Sequence, residues 1–144
     1  MVVAGHVGAI ERLKQPAKAA GAKMVHVLPV SGPFHSSLMK PAVAPFAQHL
    51  APVEIEEPRF RVLHNSRLEA AHRQSIKPAL AEQLIRPVRW AQTIKRFESD
   101  GITHIVEIGP GEVLTNLARR IAPGLRALPL NSPQTLAAAA QALA

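Results

Sequence analysis

The sequence contains no cysteine, and aromatic residues make up only 3% of its 144 positions. Without cysteine there are no disulfides and no thiolate metal sites, so a reducing compartment is permitted and a cytoplasmic location is expected. The hydrophobic share is nevertheless 47%, so a core must be built from Leu, Ile, Val and Ala. Such a core is typical of layered α/β packing and not of a disordered chain.

The chain also lacks a long apolar run and an excess of acidic residues. No stretch of 18 apolar residues occurs, so no membrane span is expected, and the start lacks the pattern of a signal peptide. The formal net charge is +7. This charge fits a polyanionic partner, such as nucleic acid, coenzyme A phosphates or an acidic carrier protein. A solvated basic surface fits equally well, because the basic residues are scattered along the sequence.

Apolar periodicity predicts strands that alternate with helices, hence an α/β fold with mainly parallel strands. The predicted strands are 2–5, 23–30, 60–65, 104–108 and 125–130. The predicted helices are 6–20, weakened or divided by Pro16, then 36–50, 75–85, 88–99, 113–121 and 134–144, the last capped by Ser132. The first three elements predict a βαβ-like unit. Since the chain opens directly in a strand, we expect it to be a piece from the middle of a longer protein.

Two segments carry candidate chemistry. His35 lies in a Gly-Pro turn between a predicted strand and a predicted helix, where a histidine can act as a general base. Taken alone, a histidine in a turn is more often structural. Gly109-Pro110-Gly111 follows a strand and opens a helix, so its backbone N–H groups offer a phosphate site, although a tight turn is the simpler interpretation. The spacing of the histidines matches no metal-site motif.

Trp90, Ile94 and Phe97 recur at helical spacing, which predicts that they pack in the core on one helix face.

Three motifs in order carry a resemblance to a known family. They are Val-Ser-Gly-Pro-Phe-His-Ser-Ser-Leu-Met-Lys at 30–40, Glu-Gln-Leu-Ile-Arg-Pro-Val-Arg-Trp at 82–90, and Val-Glu-Ile-Gly-Pro-Gly-Glu-Val-Leu at 106–114. Together they resemble the C-terminal motifs of the malonyl-CoA:acyl carrier protein transacylase family, which includes the acyltransferase domains of fatty acid and polyketide synthases. The resemblance covers essentially the whole chain. It implies that residues 1–30 are the tail of a ferredoxin-like small subdomain. Residues 31–144 would then be the C-terminal part of a hydrolase-like α/β large subdomain.

The resemblance also implies a mechanism and its residues. A serine in a G-x-S-x-G motif attacks malonyl-CoA, and the malonyl group passes to the phosphopantetheine thiol of acyl carrier protein, with no cofactor or metal. The family's catalytic histidine corresponds to His35, and the glutamine that helps orient it corresponds to Gln83. Phe34 corresponds to a residue of the acyl pocket and indicates selectivity for malonyl. The partners implied are malonyl-CoA and acyl carrier protein, and neither nucleic acid nor membrane is expected.

The departures from the family pattern matter as much. None of the serines stands in a G-x-S-x-G frame. The family's arginine that binds the malonyl carboxylate belongs to the part of the family sequence that this chain lacks. The chain alone is therefore expected to be inactive unless a separate N-terminal half supplies the serine. The alternative is a non-catalytic remnant or interaction module of the same fold. A small nucleic-acid-binding domain is disfavoured, because no basic stripe with aromatic residues and no zinc spacing occurs.

Overall fold

A computed structural model describes residues 1–143, and the chain divides into two compact units, Met1–Val88 and Arg89–Ala144. The first unit holds α1 (Val7–Ala19), a short 3-10 helix (Ser37–Met39), α2 (Lys40–Leu50) and α3 (Arg73–Gln83). The second holds α4 (Trp90–Ser99), β1 (His104–Ile108), α5 (Val113–Ile121), β2 (Arg126–Leu130) and α6 (Pro133–Leu143). The predicted α/β class is therefore confirmed.

The second unit is built around a parallel pair of strands. β1 pairs with β2 in register from His104 with Arg126 to Ile108 with Leu130. Because parallel neighbours need a crossover, the chain passes through α5 between them and forms a β-α-β unit. The predicted strands 104–108 and 125–130 are thus confirmed within a residue at their ends.

Among residues 1–143, the main apolar core also lies in this second unit. Its central cluster of buried residues comes from α4, α5, β2 and the segment between α5 and β2: Ile94, Ala118, Ala122, Leu125 and Ala127. Trp90 and Phe97 pack against this cluster from α4. The prediction that Trp90, Ile94 and Phe97 form one core-facing side of a helix is therefore confirmed.

The first unit buries much less apolar surface. Within residues 1–88 the only buried residues are Ala71, Ala79 and Ala81. Larger apolar side chains stay in solvent, including Val2, which is 79% exposed, and Phe60, which is 83% exposed. Since burial of apolar area is the main favourable term in folding, this unit has little of its own to hold it together.

Three predicted strands are wrong. Residues 2–5 and 23–30 form no strand, so the predicted βαβ-like unit at the start of the chain is absent from the described residues. Residues 60–65 contribute only an isolated antiparallel bridge between Leu63 and Ala70. Each segment has the apolar residues of a strand, but a strand needs a hydrogen-bonded neighbour, and none is present in residues 1–143. The subdomain boundary between residues 30 and 31 concerns a longer fold and stays a prediction.

The predicted helices all form within residues 1–143, and some run through proline; Ala144, the last residue of the predicted C-terminal helix, lies outside the described residues. Pro16 lies in the last turn of α1, where it removes only one donor, so the helix continues to Ala19 without division. The predicted N-cap of α6 is confirmed, because the Thr135 N–H donates to Ser132 Oγ at 3.3 Å. No helix within residues 1–143 is long and apolar enough to cross a bilayer.

Candidate active site

The turn that carries His35 is fixed by the serine that follows it. Ser36 Oγ donates to the Pro33 carbonyl at 2.6 Å and accepts from the Leu38 N–H at 3.3 Å. The same side chain therefore closes the turn and caps the 3-10 helix. His35 projects between these two anchors and is exposed.

The C-terminal end of α3 meets this turn. The last carbonyls of a helix have no intrahelical donor and need another partner. His35 supplies two donors: its ring Nδ1 lies 2.9 Å from the Gln83 carbonyl oxygen, and its backbone N–H donates to the Leu84 carbonyl at 3.1 Å. The turn and the helix end are thus joined through both the ring and the backbone of one residue.

This contact determines the tautomer of His35. A carbonyl oxygen only accepts, so the ring nitrogen that faces Gln83 must carry the proton. In a neutral imidazole the lone pair then lies on Nε2. Gln83 makes the contact through its backbone carbonyl and not through its side-chain amide. The structure therefore brings the two predicted residues together, while their catalytic roles remain predictions.

The backbone of His35 is strained. Its φ is +60°, in the left-handed region that residues with a Cβ seldom adopt. Strain of this kind persists where surrounding contacts impose it, and it is frequent at active sites. Here the contacts are those to the end of α3 and the closed turn at Ser36.

Comparison of two His35 variants should measure this strain. His35→Ala and His35→Gly both lack the ring and its hydrogen bond, and they differ only in the Cβ. Because glycine adopts positive φ without steric cost, we expect the glycine variant to be more stable than the alanine variant by about 1 kcal/mol. Urea unfolding at neutral pH measures the difference. Equal stabilities, or a more stable alanine variant, would show that residue 35 is not left-handed in solution.

Phe34 lies beside His35 and is 46% exposed. Its ring lies over Gly32, where a Cβ would come within 3.3 Å of Phe34 Cζ. A side chain at position 32 would therefore require the ring to shift by a few tenths of an ångström. The acyl-pocket role of Phe34 remains a prediction from the resemblance.

Charged residues next to this contact were not identified from the sequence. Glu82, one residue before Gln83, forms ion pairs with Arg67 and Arg86. The pair between Glu82 and Arg86 has i, i+4 spacing on consecutive turns, so the sequence did contain a signal for it. Arg67 is 15 positions away along the chain, and no local pattern indicates its contact.

The Gly109-Pro110-Gly111 segment is a tight turn. Gly109 and Gly111 have φ values of +134° and +87°, which only glycine adopts readily. The Glu107 carboxylate accepts from the N–H groups of Leu114 and Thr115 at 3.1 and 2.7 Å. The pKa of Glu107 lies below its usual range because of the nearby Thr115 hydroxyl, the Thr115 N–H and the Leu114 N–H. An anionic side chain thus already occupies the position that a phosphate would take, which favours the turn interpretation.

The most informative comparisons come from curated proteins. The chain is 41% identical over 140 residues to the malonyl CoA-acyl carrier protein transacylase of Escherichia coli K12. It is 35% identical over 144 residues to the protein of that name from Bacillus subtilis. These matches cover 96% and 99% of this chain but only 45% of each relative, so the chain spans about half the length of the curated relatives it matches. No protein-family model matches the chain.

Solved structures agree with the sequence comparison. A malonyl-transacylase solved in complex with a type II PKS acyl-carrier protein superposes with a TM-score of 0.92 at 39% identity, covering 96% of this chain and 45% of that one. The malonyl CoA-acyl carrier protein transacylase of Coxiella burnetii superposes with a TM-score of 0.91 at 38% identity, covering 95% and 44%. By sequence and by fold, the chain is therefore similar to the C-terminal half of the malonyl CoA-acyl carrier protein transacylases.

Proposed function

We propose that this chain supplies the histidine half of a malonyl-transfer site and works with a second polypeptide segment that carries the serine. The observation that carries the proposal is the 2.9 Å contact from His35 Nδ1 to the Gln83 carbonyl. That contact leaves Nε2 as the basic nitrogen on an exposed ring, which is the arrangement a general base needs.

The proposed reaction proceeds in two transfers. In the first, His35 Nε2 takes the proton of the serine hydroxyl as the oxygen attacks the malonyl thioester, and the imidazolium then protonates the coenzyme A thiolate that leaves. In the second, Nε2 takes the proton of the carrier's phosphopantetheine thiol, which attacks the malonyl-serine ester. The serine oxygen recovers the proton from His35, so the site returns to its starting state.

The end of α3 would assist both transfers. The Gln83 carbonyl takes the place that a carboxylate holds in a Ser-His-Asp triad and accepts from Nδ1. A helix C-terminus carries partial negative charge, which favours a cation close to its last carbonyls. Both effects would stabilise the imidazolium that forms when Nε2 takes a proton.

The proposed substrates are malonyl-CoA and acyl carrier protein, in fatty acid or polyketide biosynthesis. Support comes from the names of the relatives and from the solved transacylase that is bound to a type II PKS acyl-carrier protein. The net charge of +7 fits anionic substrates. Phe34, next to the catalytic histidine, would form one wall of the acyl pocket and favour malonyl.

The alternative is an interaction module or remnant with the same fold and no activity. It is favoured by one observation: the chain has no G-x-S-x-G serine for His35 to activate. The two proposals differ in a single respect, namely whether the His35 ring still acts on a serine that another segment supplies.

A reconstitution experiment separates them. The 144-residue chain is mixed with a separately produced N-terminal half of the Escherichia coli transacylase, which should supply the G-x-S-x-G serine, and malonyl-CoA is added. We expect intact-mass spectrometry to show a malonyl adduct on the N-terminal half in the mixture and on neither polypeptide alone. Binding of the two halves without an adduct would favour the interaction module.

A further inference from the structure

The side chains of Arg67, Glu82 and Arg86 form one ion-paired cluster, which we name the Glu82 brace. Glu82 Oε2 accepts from Arg67, and Glu82 Oε1 accepts from Arg86 Nε at 3.0 Å. The Glu82 side chain is 25% exposed and that of Arg67 is 34% exposed. We propose that the Glu82 brace is a positioning device, which fixes the end of α3 so that its carbonyls hold His35 in the Nδ1–H tautomer.

Arg67 is presented by a turn that the backbone fixes. The Leu68 N–H donates to the His64 carbonyl at 3.1 Å, and the His64 N–H donates to the Glu69 carbonyl at 3.2 Å. Leu68 has a φ of +63° inside this turn. Because the backbone of the turn is already ordered, pairing of Arg67 with a carboxylate costs less backbone entropy than pairing of an arginine on a flexible loop.

The same turn contacts α3 at two levels. His64 Nε2 lies 3.4 Å from Ser75 Oγ in the first turn of α3, and Arg67 contacts Glu82 in the last. Ser75 and Glu82 are seven positions apart, about two helical turns, so both face the same side of the helix. The turn therefore lies along α3 and restrains its C-terminal end, which would otherwise fray.

Glu82 is connected to His35 through the two residues that follow it in α3 and its C-cap. Glu82 precedes Gln83 and Leu84, whose carbonyls accept the ring N–H and backbone N–H of His35. A change in the last turn of α3 would move both acceptors together. Once the Gln83 carbonyl is displaced, the Nδ1–H tautomer loses the hydrogen bond that stabilises it. The Nε2–H tautomer is then populated as well, and Nε2 is no longer always the basic nitrogen.

The brace stays charged at neutral pH. Hydrogen bonds from Arg67 and Arg86 hold the pKa of Glu82 below its usual range, against an opposing effect of burial. Hydrogen bonds between ionised partners are stronger than neutral ones. Because Glu82 is ionised at neutral pH, the brace is intact there.

This inference rests on the proposed function, since the tautomer matters to catalysis only if the ring acts as a base. Its test does not need activity. The tautomer of His35 is measured in the 144-residue chain by ¹⁵N NMR of labelled histidine, at a pH where the ring is neutral. We expect the Nδ1–H form to predominate, and Glu82→Ala to lower the ratio of Nδ1–H to Nε2–H about fivefold, the factor that matches loss of a typical hydrogen bond.

Controls distinguish positioning from general destabilisation. Gln83→Ala keeps the backbone carbonyl, so it should leave the ratio unchanged. Arg67→Ala removes the link between the turn and α3, leaves the Glu82–Arg86 pair in place and does not alter α3 itself. It should lower the ratio as Glu82→Ala does, and it serves as the test if Glu82→Ala does not fold. An unchanged ratio in folded Glu82→Ala or Arg67→Ala protein would overturn the positioning role. If the ratio shifts while the reconstituted mixture forms no malonyl adduct, the positioning role stands and the proposed function fails.

Discussion

In the reconstituted mixture, His35→Ala is expected to slow formation of the malonyl-serine adduct by about 10²–10⁴-fold, the usual contribution of a positioned general base. The alanine variant keeps the backbone N–H that donates to Leu84, so the turn retains one of its two contacts with α3. The loss should therefore appear in the rate of acylation at saturating malonyl-CoA more than in the affinity of the two halves. Rapid-quench mass spectrometry measures that rate.

The chain contains a matched control for this experiment. His49 is exposed, and its ring Nδ1 lies 2.8 Å from a carbonyl oxygen, that of Pro45, within α2. It shares the exposure and the hydrogen-bond type of His35 but not its place beside the end of α3. His49→Ala should leave the acylation rate within about twofold of the parent, as expected for a surface substitution. Equal losses in the two variants would remove His35 from the mechanism.

Ile94→Ala should destabilise the second unit by about 2–5 kcal/mol, the range for truncation of a fully buried aliphatic side chain. Ile94 is 0% exposed and lies in the cluster that joins α4, α5 and β2. Alanine leaves a cavity among neighbours that are themselves small, such as Ala118 and Ala127, which cannot extend to fill it. The free energy of unfolding from urea titration, followed by Trp90 fluorescence, measures the loss.

Ile102→Ala makes the same chemical change outside the core. Ile102 is 45% exposed, so its truncation should cost less than about 1 kcal/mol. A loss at Ile94 no larger than the loss at Ile102 would mean that the core cluster is not packed as described.

Helices were predictable from the sequence because their pattern is local. The apolar spacing of α4 and α5 and the serine cap of α6 all lie within a few residues of the backbone they shape. Strand pairing is not local: residues 104–108 and 23–30 look alike as apolar runs, but only the first has a parallel neighbour. The apolar run at 23–30 therefore gave a wrong strand.

The candidate site was likewise predictable only in part. His35 and Gln83 could be identified from motifs, because a motif records the residue types that a family's chemistry requires. The left-handed φ of His35 and the contact of Arg67 with Glu82 could not. The first depends on how the end of α3 meets a turn 48 positions away, and the second on how it meets a different turn 15 positions away. No residue pattern states either geometry. The motif identifies Gln83 as a residue, but only the structure shows that its backbone carbonyl is the atom that contacts His35.

The left-handed backbone at residue 35 has a consequence for how such a chain would change over generations. Glycine at this position would adopt the positive φ without steric cost, but it would lose the hydrogen bond of the ring to the Gln83 carbonyl. A copy freed from chemistry would therefore lose the imidazole at little net cost in stability, because relief of the backbone strain offsets loss of that hydrogen bond. In such a copy we expect glycine to replace histidine at residue 35, whereas selection for the function of the ring would retain the histidine together with its strained backbone.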